Sequence, residues 1–207
     1  AEHYERVLSP VYAWMAGGAE AALAAGKAEI EDLQLELPAG ALAVDLGAGF
    51  GMHAIPLARM GAPDVDVRIH AVDLSRVADQ ERLAQACAGV DILVNNAGSN
   101  PAGALGDTSD EIWRASWDLK VFGYINLCPA LCLAMKERHD GVIVNVIGYA
   151  GERLFSRYII GSTGNAALMA FSRSLGSQSP DFGVRVVGVN PGYTATDRAE
   201  SVLRKIA

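Results

Sequence analysis

The sequence predicts an α/β fold: a doubly wound, mainly parallel sheet of about five strands with an N-terminal helical cap. Three observations predict it. Short β-branched runs alternate with helix-length segments from residue 41 onward. Each run is nearly continuous in apolar residues, the pattern of strands buried on both faces. Four of the five end in polar or glycine-rich stretches, "GAGFG", "DLS", "NNAG" and "NPGYTATD", which parallel strands gather along one crevice at a topological switch point.

In chain order, Tyr4, Val7, Leu8, Val11, Trp14 and Met15 recur at three and four, and an Ala-rich run from Ala19 to Leu33 follows Gly17-Gly18. This spacing predicts the helical cap, residues 1–38. "LPAG" at 37–40 breaks the pattern and opens residues 39–207, one nucleotide-binding domain. "ALAVDLG" reads as a strand ending in glycines, with a helix over 52–60 behind it. "VRIHAVDL", 67–74, is the second strand, and Ser75 is the expected N-cap of a helix through Cys87. "DILVNNAG" is the third. Thr108 with Glu111 forms a capping box for a long helix to about Arg138, which Pro129 should kink or split. "GVIVNVIG", 141–148, and "VRVVGVNPG", 184–192, are the last strands, with a helix over about 157–178 between them.

At 207 residues the chain suits one sizeable domain, burying about 70% of its unfolded surface. No run of about 18 apolar residues escapes a charge, His, Gly or Pro, so no membrane span is expected. The first ten residues lack a basic start and apolar centre, which makes the cytoplasm the default location. Cys87, Cys128 and Cys132 have no metal-ligand spacing with the four histidines, so no metal site is expected. Cys128 and Cys132 read as buried apolar side chains on one helix. A net charge of −7 opposes nucleic acid as a partner. It leaves open a small anionic ligand held by backbone amides.

Gly47, Gly49 and Gly51 fall at every second residue. That spacing lets the backbone turn beneath a nucleotide-like ligand with its amides exposed, although a tight turn without a ligand needs the same glycines. Asp73 stands where a carboxylate can accept hydrogen bonds from ribose hydroxyls, or can favour the dipole of the next helix.

From about Val65 the chain resembles the short-chain dehydrogenase/reductase family, through "DILVNNAG", "GVIVNVIG", "GNAALMAFSRSLG" and "VRVVGVNPGYTATD". The resemblance implies a Rossmann-like fold that binds NAD or NADP and acts on a small-molecule substrate. It implies Asn95, Ala97 and Gly98 beside the adenosine half, and Pro191, Gly192 and Thr196 near the nicotinamide carboxamide. Residues 1–61 are similar instead to S-adenosylmethionine-dependent methyltransferases, through "HYERVLSPVYAWMAGG" and "LAVDLGAGFGMHAIPLA". That resemblance implies S-adenosylmethionine as the alternative cofactor. The join falls near "MGAPDVDV". The dehydrogenase family's TGxxxGxG turn is not met, since Leu46 and His53 stand at its Thr and last Gly.

Reductases of the resembled family use a Ser, a Tyr and a Lys, and these positions carry Gly148, Gly161 and Asn165 here. The Asn of the family's proton relay falls on Lys120. Tyr158 lies one turn before the vacant Tyr position and shares a helix face with Ser162, four residues on. Tyr158, Lys120 and Ser162 are therefore the substitute catalytic set, provided that Lys120 can reach the phenol. The resemblance allows a homo-oligomer whose interface and substrate pocket draw on segments beyond the "NPG" loop, so both are expected to be compromised in a chain that stops at Ala207. Three functions are compatible: an oxidoreductase-like cofactor binder with degenerate catalytic residues and weak or no activity, a methyltransferase-like binder of S-adenosylmethionine, and a chimeric or engineered fold without evolved activity.

Overall fold

The structure, a computed structural model, describes residues 70–192, the strand 43–46 and the positions Glu20, Ala21, Ala24, Lys27 and Ala28. The chain divides into two units, Ala1–Ala41 with Gly47–Val72, and Leu42–Leu46 with Asp73–Ala207. In the first, the five described positions between 20 and 28 are helical and exposed, within the segment expected to form the cap.

The second unit carries the sheet. Its elements are β1 (Ala43–Leu46), α1 (Val77–Ala86), β2 (Ile92–Asn95), α2 (Asp110–Ser116), α3 (Gly123–Arg138), β3 (Gly141–Val146), α4 (Ile159–Gly176) and β4 (Val184–Val189). All three strand pairs are parallel and the order is β1-β2-β3-β4. Leu46 lies opposite Asn95, Asn95 opposite Asn145, and Asn145 opposite Gly188, so the four carboxyl ends share one edge. The predicted α/β fold is therefore present. The order is sequential, so no topological switch falls among the described strands.

Alternation along the strands decides which side chains meet the helices. Leu93 and Asn95 of β2, and Ile143 and Asn145 of β3, are buried beneath α3 and α4. Between these helices Val121, Tyr124, Ile147, Leu168 and Met169 form a core cluster, with Trp117, Ile125 and Phe171 packed against it. On the other face Ile92, Val94, Val142, Val144 and Val146 are half-buried.

Several boundaries differ from the sequence reading for local reasons. The second strand expected at 67–74 is irregular at 70–73 and turns at 74–75. The Asp73 carboxylate binds the Ser75 amide (3.0 Å) and hydroxyl (2.6 Å), a local turn that competes with a strand ladder. Ser75 is thereby occupied, and Arg76 rather than Ser75 is the N-cap of α1. At α2 the cap is Ser109 instead of Thr108, its hydroxyl accepting from the Ile112 amide at 3.4 Å. Pro129 does not break the long helix, since α3 runs through it with the ring on the exposed side. The departure from α geometry lies earlier, in a π-helical turn at Trp117–Phe122.

The stretch Asp110–Arg138 is the one described helix long and apolar enough, by length and composition alone, to cross a membrane. Part of its apolar surface is used in the core, while Ile112, Phe122 and Leu133 are exposed. Leu127, Cys128, Leu131, Cys132 and Met135 are each at most 4% exposed.

Candidate functional site

The site is built where β2, β3 and β4 end. The Ile147 amide donates to the Val189 carbonyl at 2.8 Å and the Tyr149 amide to the Pro191 carbonyl at 3.0 Å, which ties the loop after β4 to the loop after β3. Ala97 and Gly98, which follow β2, are half-buried, while Pro191 and Gly192 are exposed. A Cβ placed on Gly192 would meet no atom within 4 Å, so the backbone there is open.

Lys120 projects from the π-helical turn. Its Nζ donates to the Ile147 carbonyl at 2.6 Å. Its stem lies on Gly98, where a Cβ would stand 2.7 Å from Lys120 Cδ. The "NNAG" loop, the π turn and the end of β3 thus converge on one lysine, its stem on Gly98 and its ammonium on the Ile147 carbonyl. π turns often mark functional sites because the widened turn re-aims a side chain.

Two further glycines are filled in the same way. Gly148 has φ +119, a conformation that L side chains rarely adopt. Its Cβ position lies 3.0 Å from Asn165 Nδ2, which donates to the Gly148 carbonyl at 3.3 Å. Asn165 is 3% exposed and its Oδ1 has no partner. Leaving such an acceptor unmet costs about 1–3 kcal/mol. At Gly161 a Cβ would overlap the ring of Tyr158. The phenol from one turn earlier therefore occupies the space beside the vacant position. Tyr158 is half-buried at the start of α4, and its segment is held by the Gly103 amide donating to the Arg157 carbonyl at 2.9 Å.

The remaining expected residues are placed differently. Ser162 is 4% exposed, and its hydroxyl accepts from the Phe155 amide at 3.3 Å, so it pins the loop that precedes Tyr158. Asn95 is fully buried and faces inward. Its Nδ2 donates to Asn145 Oδ1 at 2.8 Å and to Cys128 Sγ at 3.1 Å, and Asn145 Nδ2 donates to Ser172 at 2.9 Å. This side chain joins β2 to β3 and does not face solvent at the strand ends. Asp73 is exposed, and the Ser75 hydroxyl and amide hold its carboxyl below the usual carboxylate range. Gly47, Gly49, Gly51 and Thr196 lie outside the described residues. Among the described residues no group of three His, Cys, Asp or Glu could hold a metal.

Asn165 enters the sequence reading only as the absence of a Lys, and its contact with Gly148 is visible only in the structure. The available signal was the pairing of two departures, a Gly for the Ser and an Asn for the Lys, in one chain.

The family description "short chain dehydrogenase" matches residues 56–207. An uncharacterized oxidoreductase of Thermotoga maritima is 35% identical over 127 residues, 60% of this chain and 51% of the relative. The NADPH-dependent reductase BacG of Bacillus subtilis is 26% identical over 151 residues, 69% of this chain and 58% of the relative. A short chain dehydrogenase from Burkholderia cenocepacia, solved in complex with NADP, superimposes with a TM-score of 0.68 at 25% identity, covering 79% of this chain and 76% of that one. The chain spans about half the length of the curated relatives it matches. The matched range begins at residue 56, ahead of the join expected near 65, and the comparisons lend no support to a methyltransferase segment or a chimera.

Proposed function

The chain belongs to the short chain dehydrogenase family, and from that premise we propose that it is an NADP- or NAD-dependent oxidoreductase interconverting a carbonyl and a hydroxyl on a small molecule. BacG is NADPH-dependent and the Burkholderia structure holds NADP, which favours NADP here. A nicotinamide dinucleotide supplies or takes the hydride when bound. Ala97 and Gly98 would lie beside its adenosine half. Pro191, Gly192 and Thr196 would lie beside its nicotinamide. The open backbone at Gly192 fits a ligand rich in hydroxyl and amide groups.

One observation carries the catalytic assignment: the Tyr158 ring fills the space over Gly161. Tyr158 gives the proton to the nascent alkoxide in reduction and takes it in oxidation. Lys120, held on the Ile147 carbonyl, places a positive charge at the end of β3, where the substrate oxygen would lie. Ser162 acts through its grip on the Phe155 amide, which fixes the entry of Tyr158 into α4.

The test is NADPH oxidation with 9,10-phenanthrenequinone, an activated diketone, as the probe substrate. Tyr158→Phe is expected to lower kcat/KM by about 10²–10⁴-fold while NADPH affinity stays within about two-fold. Equal turnover in the variant would remove Tyr158 as the acid. Absence of NADPH binding by the unmodified chain would remove the cofactor.

A further inference from the structure

We propose that the side-chain amide of Asn165 is a catalytic hydrogen-bond donor to the reacting carbonyl oxygen, in the place left open by Gly148. The inference rests on the oxidoreductase reading above. Three features of the geometry point to it. Asn165 Nδ2 lies 3.0 Å from the Cβ position of residue 148, within the volume that a side chain there would take. Gly148 cannot readily carry that side chain itself, because its φ of +119 disfavours any L residue with a Cβ.

The amide is also not used up by the fold. Nδ2 has two N–H groups, and one goes to the Gly148 carbonyl, which fixes the orientation of the amide and leaves Oδ1 on its other side. Oδ1 is buried without a partner on a side chain 97% removed from solvent. Asn95 in the sheet core shares an unmet Oδ1, but Asn165 differs in standing at the end of β3, beside the backbone of Gly148. Asn165 has its donor end anchored beside the β3 terminus and its acceptor end open. It can donate its second N–H to a carbonyl oxygen, and it can accept from the hydroxyl that replaces that carbonyl after reduction.

The location is consistent with the rest of the set. Gly148 follows Ile147, whose carbonyl holds Lys120 Nζ at 2.6 Å. Asn165 lies one helical turn beyond Gly161, over which the Tyr158 ring sits. At Gly98, Gly148 and Gly161 alike, a missing Cβ leaves space for a polar side chain from elsewhere: Lys120, Asn165 and Tyr158.

Asn165→Leu removes both hydrogen-bonding ends at similar size, and Asn165→Asp keeps an acceptor while removing the donor. Both are expected to lower kcat/KM for 9,10-phenanthrenequinone by about 100-fold, the loss typical of one such donor, with NADPH affinity unchanged. The infrared carbonyl stretch of the quinone bound with NADP⁺ supplies a readout besides turnover. It is expected at lower frequency in the unmodified chain and shifted back up in both variants, each checked for a native circular dichroism spectrum. If the unmodified chain reduces the quinone and Asn165→Asp leaves both turnover and the carbonyl stretch unchanged, the role of Asn165 is overturned while the oxidoreductase reading stands. If NADPH neither binds nor reacts, that parent reading fails and the inference fails with it.

Discussion

Cys128 is fully buried on α3, its sulfur 3.1 Å from Asn95 Nδ2 and 3.4 Å from Asn145 Oδ1. Burial pushes its thiol from the ordinary 9.0 up to about 12, against the smaller lowering by the two asparagines. The unfolded chain ionises first, so this group's contribution to stability is full below about pH 9 and is lost as pH rises from there to about 12. Urea unfolding at about pH 8 and about pH 10.5 should therefore show a smaller alkaline loss in Cys128→Ala than in the unmodified chain. An equal loss would mean that the thiol carries none of the pH dependence. The residue type and its i, i+4 partner Cys132 were enough to predict burial, because a free Cys behaves as a small apolar side chain. Its asparagine partners were not legible. Asn95 was expected to face a ligand, and only the register that sets it opposite Asn145 turns it into the core.

At the scale of elements, β4 depends on a turn that a single residue permits. Gly183 sits at φ +81 directly before the strand, and a Cβ there would overlap the His139 carbonyl. Gly183→Ala should destabilise the protein by about 1–3 kcal/mol, from left-handed strain and the forced movement of the α3 terminus. A urea midpoint unchanged from the unmodified chain would show that the turn has another low-energy path. The strands at 92–95, 141–146 and 184–189 were legible because β-branched apolar runs bounded by turn residues have few alternatives. The π turn at Trp117–Phe122 was not, since its residues suit an ordinary helix and the widening brings Lys120 over Gly98. Pro129 misled for a related reason. A proline weakens a helix locally, but packing of Leu127, Cys128, Leu131 and Met135 on the sheet outweighs that cost.

At the scale of the whole molecule, family membership and the shared edge of four parallel strand ends make the cofactor the quantity to measure. NADPH at about 100 times its dissociation constant should add about 2.7 kcal/mol of stability, read as a rise in melting temperature. S-adenosylhomocysteine at equal concentration should leave the melting temperature unchanged. The reverse result would overturn the nicotinamide assignment and restore the methyltransferase resemblance of residues 1–61. The sequence by itself determined the alternation of strands and helices, the parallel sheet and the family, because hydrophobic period and turn chemistry are local properties that survive without coordinates. By resemblance it also marked Gly148, Gly161 and Asn165 as departures from the family's Ser, Tyr and Lys. Only the tertiary structure decided which side chains stand against Gly98, Gly148 and Gly161. Tyr158 over Gly161, Asn165 beside Gly148 and Lys120 on Gly98 are contacts across three to twenty-two residues, set by how a helix lies on strand ends, and no local pattern encodes that distance.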